Sequence, residues 1–314
     1  MPIHDLGYRA WEGRRCPEST RWCVIAQIGV RLAWKSQWLR RMILLAWLPA
    51  VYMGLVFFLF EQSASRPAAR RAAVSVFREL GGLEGVVLYS AALQADPGEA
   101  RHQVWGWLLL LFFRYPQGIL MTLVVGLIAP PLISQDMRSR ALLLYFSRPI
   151  TRSEYILGKS AVVCVYLALI TTAPALALYV FGVLLSPDLS VVRSTWDFLL
   201  RIPAASAVLM VPTTLLALAF SSLTIRSYYA SFAWFATWGV GMVTYYALQG
   251  ILGGAFDERW ALLSVYHTLG KVQAWVFDSG ASSWDVWPYF VLLGVLSLVS
   301  LAAVFRRVSS CLRL

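Results

Sequence analysis

A chain of 314 residues that is 59% hydrophobic and only 14% charged, with a mean hydropathy of +0.65, is too apolar for an ordinary soluble fold, in which about 25% of residues are charged. The formal charge of +11 and pI near 9.8 would suit a nucleic-acid binder, but the chain has no polar domain large enough to gather its Lys and Arg on one face. Nucleic acid is therefore excluded as a partner, and the expected solvent is a lipid bilayer.

Residues 1–41 carry eight Lys or Arg and no long uncharged apolar core, so they do not read as a secretory signal, and the N-terminus is expected inside the cell. Within this arm, Ile25, Ile28, Leu32 and Leu39 form a helical stripe flanked by Arg31, Lys35, Arg40 and Arg41. Trp22, Trp34 and Trp38 lie off the stripe and make the amphipathicity imperfect, but Trp is itself a signal of a membrane surface, and the segment reads as an interfacial helix. Six apolar stretches then have the length needed to cross a hydrocarbon core of about 30 Å: 42–60, 115–134, 160–185, 202–223, 228–252 and 287–305. Each is expected to be helical, because a lipid-exposed backbone must satisfy its own polar groups.

Two polar inserts interrupt the spans. Residues 61–104 hold Arg66, Arg70, Arg71, Arg78, Arg101 and five acidic residues, with Gly81-Gly82 and Asp96-Pro97-Gly98, and read as a partly helical external loop. The run from Trp105 to Phe113 is too short to span and is either an interfacial segment or the outer turns of a long, bent second helix. Residues 253–286, with Asp257, Glu258, Asp278 and Asp285, form a second insert whose aromatic content predicts that it lies on the membrane surface. Placing both termini inside puts 17 basic residues on the inner side against ten outside, as the positive-inside bias requires. Cysteine is sparse, at Cys16, Cys23, Cys164 and Cys311, with no Cys-x-x-Cys pair, and disulfides are not expected.

Between the second and third spans lies a basic, Pro-punctuated connector, 135–158, flanked by Asp136 and Lys159. An acidic residue after a helix end is followed by Leu-x-x-Tyr-x-Ser-Arg-Pro and then Arg-x-x-Tyr-x-x-Gly-Lys: Asp136, Leu142, Tyr145, Ser147, Arg148, Pro149, Arg152, Tyr155, Gly158 and Lys159. This spacing resembles the cytoplasmic loop of ABC exporter permeases of the ABC-2 type, in particular the branch associated with multicopper-enzyme maturation and gliding motility. The rest of the chain matches that family in hydropathy and length alone. The resemblance implies an all-α integral membrane fold in the inner membrane, with six transmembrane helices, cytoplasmic termini and an elbow helix before the first span. It further implies a homodimer or heterodimer of permeases, driven by a separate soluble ATPase that binds ATP-Mg and docks on the elbow and the loop.

The residues themselves offer a mechanical reading. Pro130-Pro131 would bend or end the second span, Asp136 would cap or salt-bridge the next segment, and 138–145 would form a short helix offering Leu142, Leu143 and Leu144 to a partner groove. Arg138, Arg148, Arg152 and Lys159 are candidates for pairing with that partner's acids. A plain basic loop hugging anionic lipid would explain the charges, though not the paired tyrosines or the Ser-Arg-Pro turn.

Chemistry within the chain has little support. Gly158-Lys159-Ser160 lacks the glycine five residues earlier that a phosphate loop needs, since Ser153 stands there. His4, His102 and His267 are isolated in sequence, so no metal, cofactor or catalytic site is expected. Few charges lie within the spans, which argues against ion-coupled transport. Trp47 and Tyr52 on the first span and Trp234, Trp238, Thr244 and Tyr245 on the fifth are candidates for a substrate path or dimer seam, because the resembling family places these helices there. Lipid-facing or interhelical packing explains the same aromatics. The expected function is thus the permease subunit of an ABC exporter, not itself an enzyme. The rival is a membrane-embedded enzyme or assembly scaffold without an ATPase, with 61–104 as its working part.

Overall fold

A computed structural model describes residues 20–63, 66–147, 150–186, 191–253, 257–278 and 283–310, and among these the regular structure is helical throughout. In chain order the helices are α1 (Arg21–Trp34), α2 (Gln37–Ser63), α3 (Pro67–Ala92), α4 (Pro97–Arg114), α5 (Pro116–Arg138), α6 (Ala141–Phe146), α7 (Arg152–Ile170), α8 (Thr172–Leu185), α9 (Val191–Thr195), α10 (Phe198–Leu223), α11 (Ser227–Leu252), a 3-10 turn (Glu258–Leu263), α12 (Val265–Val276) and α13 (Ser283–Ser310). Five helical stretches, Gln37–Ser63, Gly98–Arg138, Arg152–Leu185, Val191–Leu223 and Asp285–Ser310, are long and apolar enough to cross a membrane, the signature of a multi-pass membrane protein. The sixth expected span coincides with α11, which has 26 residues. Its six Tyr and Trp, with interspersed Gly, Ser and Thr, leave it less apolar than the other five.

The stretch after Trp105 takes one of the two forms open to it. Pro97 starts α4 and Pro116 starts α5, with a joint only at Tyr115, so the run forms the first turns of one long bent helix. Trp105, Leu108, Leu109 and Phe112 are fully buried, not interfacial. They join an aromatic cluster with Phe57 on α2, Phe77 and Tyr89 on α3, and Phe198 on α10. The insert at 61–104 is therefore mostly helix: α3 folds back on α2 and α4, broken by Gly82 at φ 60, a conformation open to glycine. Beside it, a Cβ on Gly81 would collide with the Trp107 ring.

Residues 253–286 also differ from expectation. Instead of lying on a surface, α12 is wedged between α10, α11 and α13, with Thr268, Leu269, Val272 and Gln273 buried. It sits at the N-terminal end of α5, where Gly118 allows Tyr266 to approach, whereas α6 follows the opposite end.

Lipid is as apolar as leucine, so close backbone approach and interhelical hydrogen bonds decide how such helices associate. The seam between α5 and α10 shows both. Pro130 has no N–H for the Gly126 carbonyl, and the Ser231 hydroxyl of α11 donates to that carbonyl at 3.4 Å. Ser221 Oγ of α10 donates to the Pro130 carbonyl at 2.7 Å and accepts from the N–H groups of Ile133 and Ser134 at 3.0 and 3.2 Å. The prolines accordingly do not end the helix, and α5 continues to Arg138.

Candidate partner-docking site

The connector is largely helical. The turn of α5 ends at Ser139, Arg140 adopts a left-handed conformation at φ 54, and α6 sets off in a new direction. Thr151 then starts α7 with a reciprocal cap: the Glu154 N–H donates to Thr151 Oγ1 at 3.2 Å, and the Thr151 N–H donates to Glu154 Oε2 at 2.7 Å. The Thr-x-x-Glu spacing is a signal in the sequence that marks the start of α7 unaided.

Three motif residues form one internal assembly. Lys159 Nζ lies 2.7 Å from Asp136 Oδ2, and the Tyr155 hydroxyl donates to the same oxygen at 2.8 Å. The ammonium also stands 5.9 and 5.5 Å from the ring centres of Tyr145 and Tyr155, within cation–π reach. Burial raises the Tyr145 hydroxyl pKa, and the Asp136 charge raises it further. Asp136 thus makes the salt bridge expected of it, but with Lys159. That lysine, only 8% exposed, is committed within the chain instead of facing a partner.

The remaining motif residues divide between interior and surface. Leu142 is 3% exposed and packs with Ile133, Tyr155, Ile156, Val304 and Val308, whereas Leu143 and Leu144 are 53% and 73% exposed. Arg138 and Ser147 are exposed, and Arg152 Nη1 donates to Ser309 Oγ of α13 at 3.0 Å. Gly158 faces α1, where a Cβ would stand 2.8 Å from Ile25 Cβ and 2.9 Å from the Trp22 carbonyl oxygen. Arg148 and Pro149 lie outside the described residues, as do His4, Cys16 and Cys311. Between α1 and α6 opens a cavity of about 640 Å³, lined by Arg21, Val24, Ile28, Ala141, Leu144 and Tyr145 among others.

The candidate path or seam residues differ in burial and partners. Trp234 is buried, its Nε1 donates to the Thr122 carbonyl of α5 at 2.8 Å, and its ring lies 5.4 Å from that of the buried Trp238. Trp47 packs against the same hydrophobic cluster around α5. Thr244 is half-buried, Tyr245 stacks on His267 with 3.6 Å between ring centres, and Tyr52 is exposed.

Folding also assembles polar groups that sequence spacing did not connect. His102 Nε2 is 2.8 Å from Asp197 Oδ2, 95 positions away, so this histidine is not isolated; Arg201 Nε meets the same carboxylate oxygen at 2.6 Å. Glu61, on α2, takes a two-pronged contact from Arg101 on α4 at 3.1–3.2 Å. Among the described residues no group of three His, Cys, Asp or Glu could hold a metal ion, and Cys23 and Cys164 are free thiols. No family model matches the chain, and no curated protein matches it either.

Proposed function

We propose that the chain is the membrane-spanning subunit of an ABC exporter, driven by a separate ATPase that docks on α1 and α6. The observation that carries this reading is the surface around α6: Leu143 and Leu144 stand exposed beside a cavity whose other wall is α1, while Leu142 and the Asp136–Tyr155–Lys159 assembly anchor the same turn to α5 and α7. A short helix held rigidly from behind and bare in front is suited to take a push. In this reading α11 is the sixth span, both termini are cytoplasmic, α1 is the elbow, and ATP-driven closure of the partner biases the helices between two states. The deciding experiment is gentle solubilisation from the native host followed by pull-down. Recovery of a soluble ATPase that Leu143→Asp/Leu144→Asp removes, with membrane insertion unchanged, supports the reading. Recovery of the intact chain without any ATPase overturns it.

A further inference from the structure

A second opening lies in the same region, on the α5 side of α1. It is a slot of about 320 Å³ between α1 and α5, walled by Ile28, Leu32, Leu39, Leu127 and Pro131, and ended by Asp136, Tyr145 and Lys159. Its rim residues Ile28, Leu32 and Leu127 are 60%, 63% and 45% exposed, so the mouth opens toward the apolar surroundings of the helices. At the inner end the charges of Asp136 and Lys159 neutralise one another and offer no free charge to a ligand.

Positive charge is carried instead by α1 itself and by the start of α2. From Arg21 to Phe60 the chain has five basic residues, Arg21, Arg31, Lys35, Arg40 and Arg41, and no acidic one. Arg31 and Lys35 are exposed and directly precede Leu32 and Ser36, two residues of the slot wall. Trp38, 65% exposed with the Arg41 guanidinium 5.7 Å from its ring centre, adds the aromatic anchor found at membrane interfaces. An apolar slot walled by a helix that also bears exposed cations matches a molecule with one end of each kind.

We propose that this slot holds an acyl chain of one anionic phospholipid, with the phosphate met by Arg31 and Lys35. The lipid thereby fills the gap between α1 and α5 and seats the interfacial helix. The slot shares Ile28 and Tyr145 with the cavity between α1 and α6, but lipid retention is read without any ATPase, so its failure leaves the proposed function untouched.

The test uses the full chain purified in mild detergent. Native mass spectrometry reads lipid retained after exhaustive washing, with phosphatidylglycerol and phosphatidylethanolamine offered together. The expected result is one phosphatidylglycerol per chain, retained at least fivefold over phosphatidylethanolamine. Leu127→Trp and the pair Arg31→Glu/Lys35→Glu should each reduce that retention at least fivefold while the melting temperature stays within a few degrees. A second reading needs no variant: phosphatidylglycerol with a diazirine in its acyl chain should label the 28–39 and 127–136 segments of the unaltered protein well above Leu298 and Val299, which are exposed on α13. Equal retention of the two lipids, or labelling spread evenly over α13 and the slot, overturns the proposal.

Discussion

Lys159 Nζ rests 2.7 Å from Asp136 Oδ2, joining the last turns of α5 to the first turns of α7 behind the connector. Both side chains are mostly buried, so removing one leaves the other without compensation. Lys159→Met or Asp136→Leu should each lower stability by roughly 3 kcal/mol, near the lower end expected for breaking a buried pair. The double variant should recover much of this loss, because two apolar side chains leave no stranded charge. Thermal melting of all four forms measures the coupling, and simple additivity would show that the pair does not hold the connector.

Ser221 serves three backbone groups of α5 through one hydroxyl. Ser221→Ala should therefore cost about 1–3 kcal/mol, more than a typical single interhelical hydrogen bond in a membrane protein. Ser231→Ala, which removes one longer contact, should cost well under half as much. Denaturant titration of the two variants gives the ranking, and equal losses would contradict it.

Gly158 is a point of close approach between α1 and α7. Gly158→Val should force α1 away, since its Cβ would meet the Trp22 backbone carbonyl, which cannot rotate aside. Overpacking of this kind costs about 1–3 kcal/mol. Trypsin should then cut faster after Arg31 and Lys35 than in the unaltered chain. Unchanged cleavage would mean that α1 is held by its other contacts, such as the 2.7 Å hydrogen bond from the Tyr166 hydroxyl to the Val30 carbonyl.

His267, 6% exposed, has its pKa pushed down to about 4, by burial first and then by the charges of Arg114 and Lys271. Its folded-state value lies below the ordinary one, so the stabilisation it allows is complete above about pH 6.5. As pH falls from about 6.5 toward 4, the unfolded chain takes up a proton that the folded chain refuses, and stability declines before levelling off. The decline is at most about 3 kcal/mol. His267→Gln should flatten this part of the profile of melting temperature against pH, and an unchanged slope would assign the dependence to other groups.

The apolar helices were legible in the sequence because a hydrophobic run of about twenty residues matches the thickness of a bilayer and exceeds what a soluble core helix can bury. The short helix around Leu144, with Leu143 and Leu144 exposed, could also be read, but Leu142, expected to face a partner beside them, turns inward onto α5, α7 and α13. What could not be read was the choice of partners. Asp136 and Lys159 are joined across a reversal of the chain, and His102 and Asp197 are 95 positions apart, so no local period connects either pair. Tryptophan left two readings open, a pathway lining or packing between helices, and Trp234 and Trp238 pack, with the indole N–H of Trp234 donating to a carbonyl of α5. Burial of that kind depends on which helix lies opposite, information that a single sequence carries only diffusely.

The hydroxyl of Ser221 also fixes a register. If α5 slid past α10 by one turn, about 5.4 Å, the carbonyl of Pro130 and the N–H groups of Ile133 and Ser134 would each lose the contact with Ser221, and the buried Ser221 hydroxyl would lose all three at once. Ser221 is thus a pin in a keyway, opposing a slide of one helix along the other. The helical ladder is interrupted elsewhere, at Tyr115 between α4 and α5, at Thr171 between α7 and α8, and at Thr224–Arg226 before α11, and none of these breaks lies at the pinned seam.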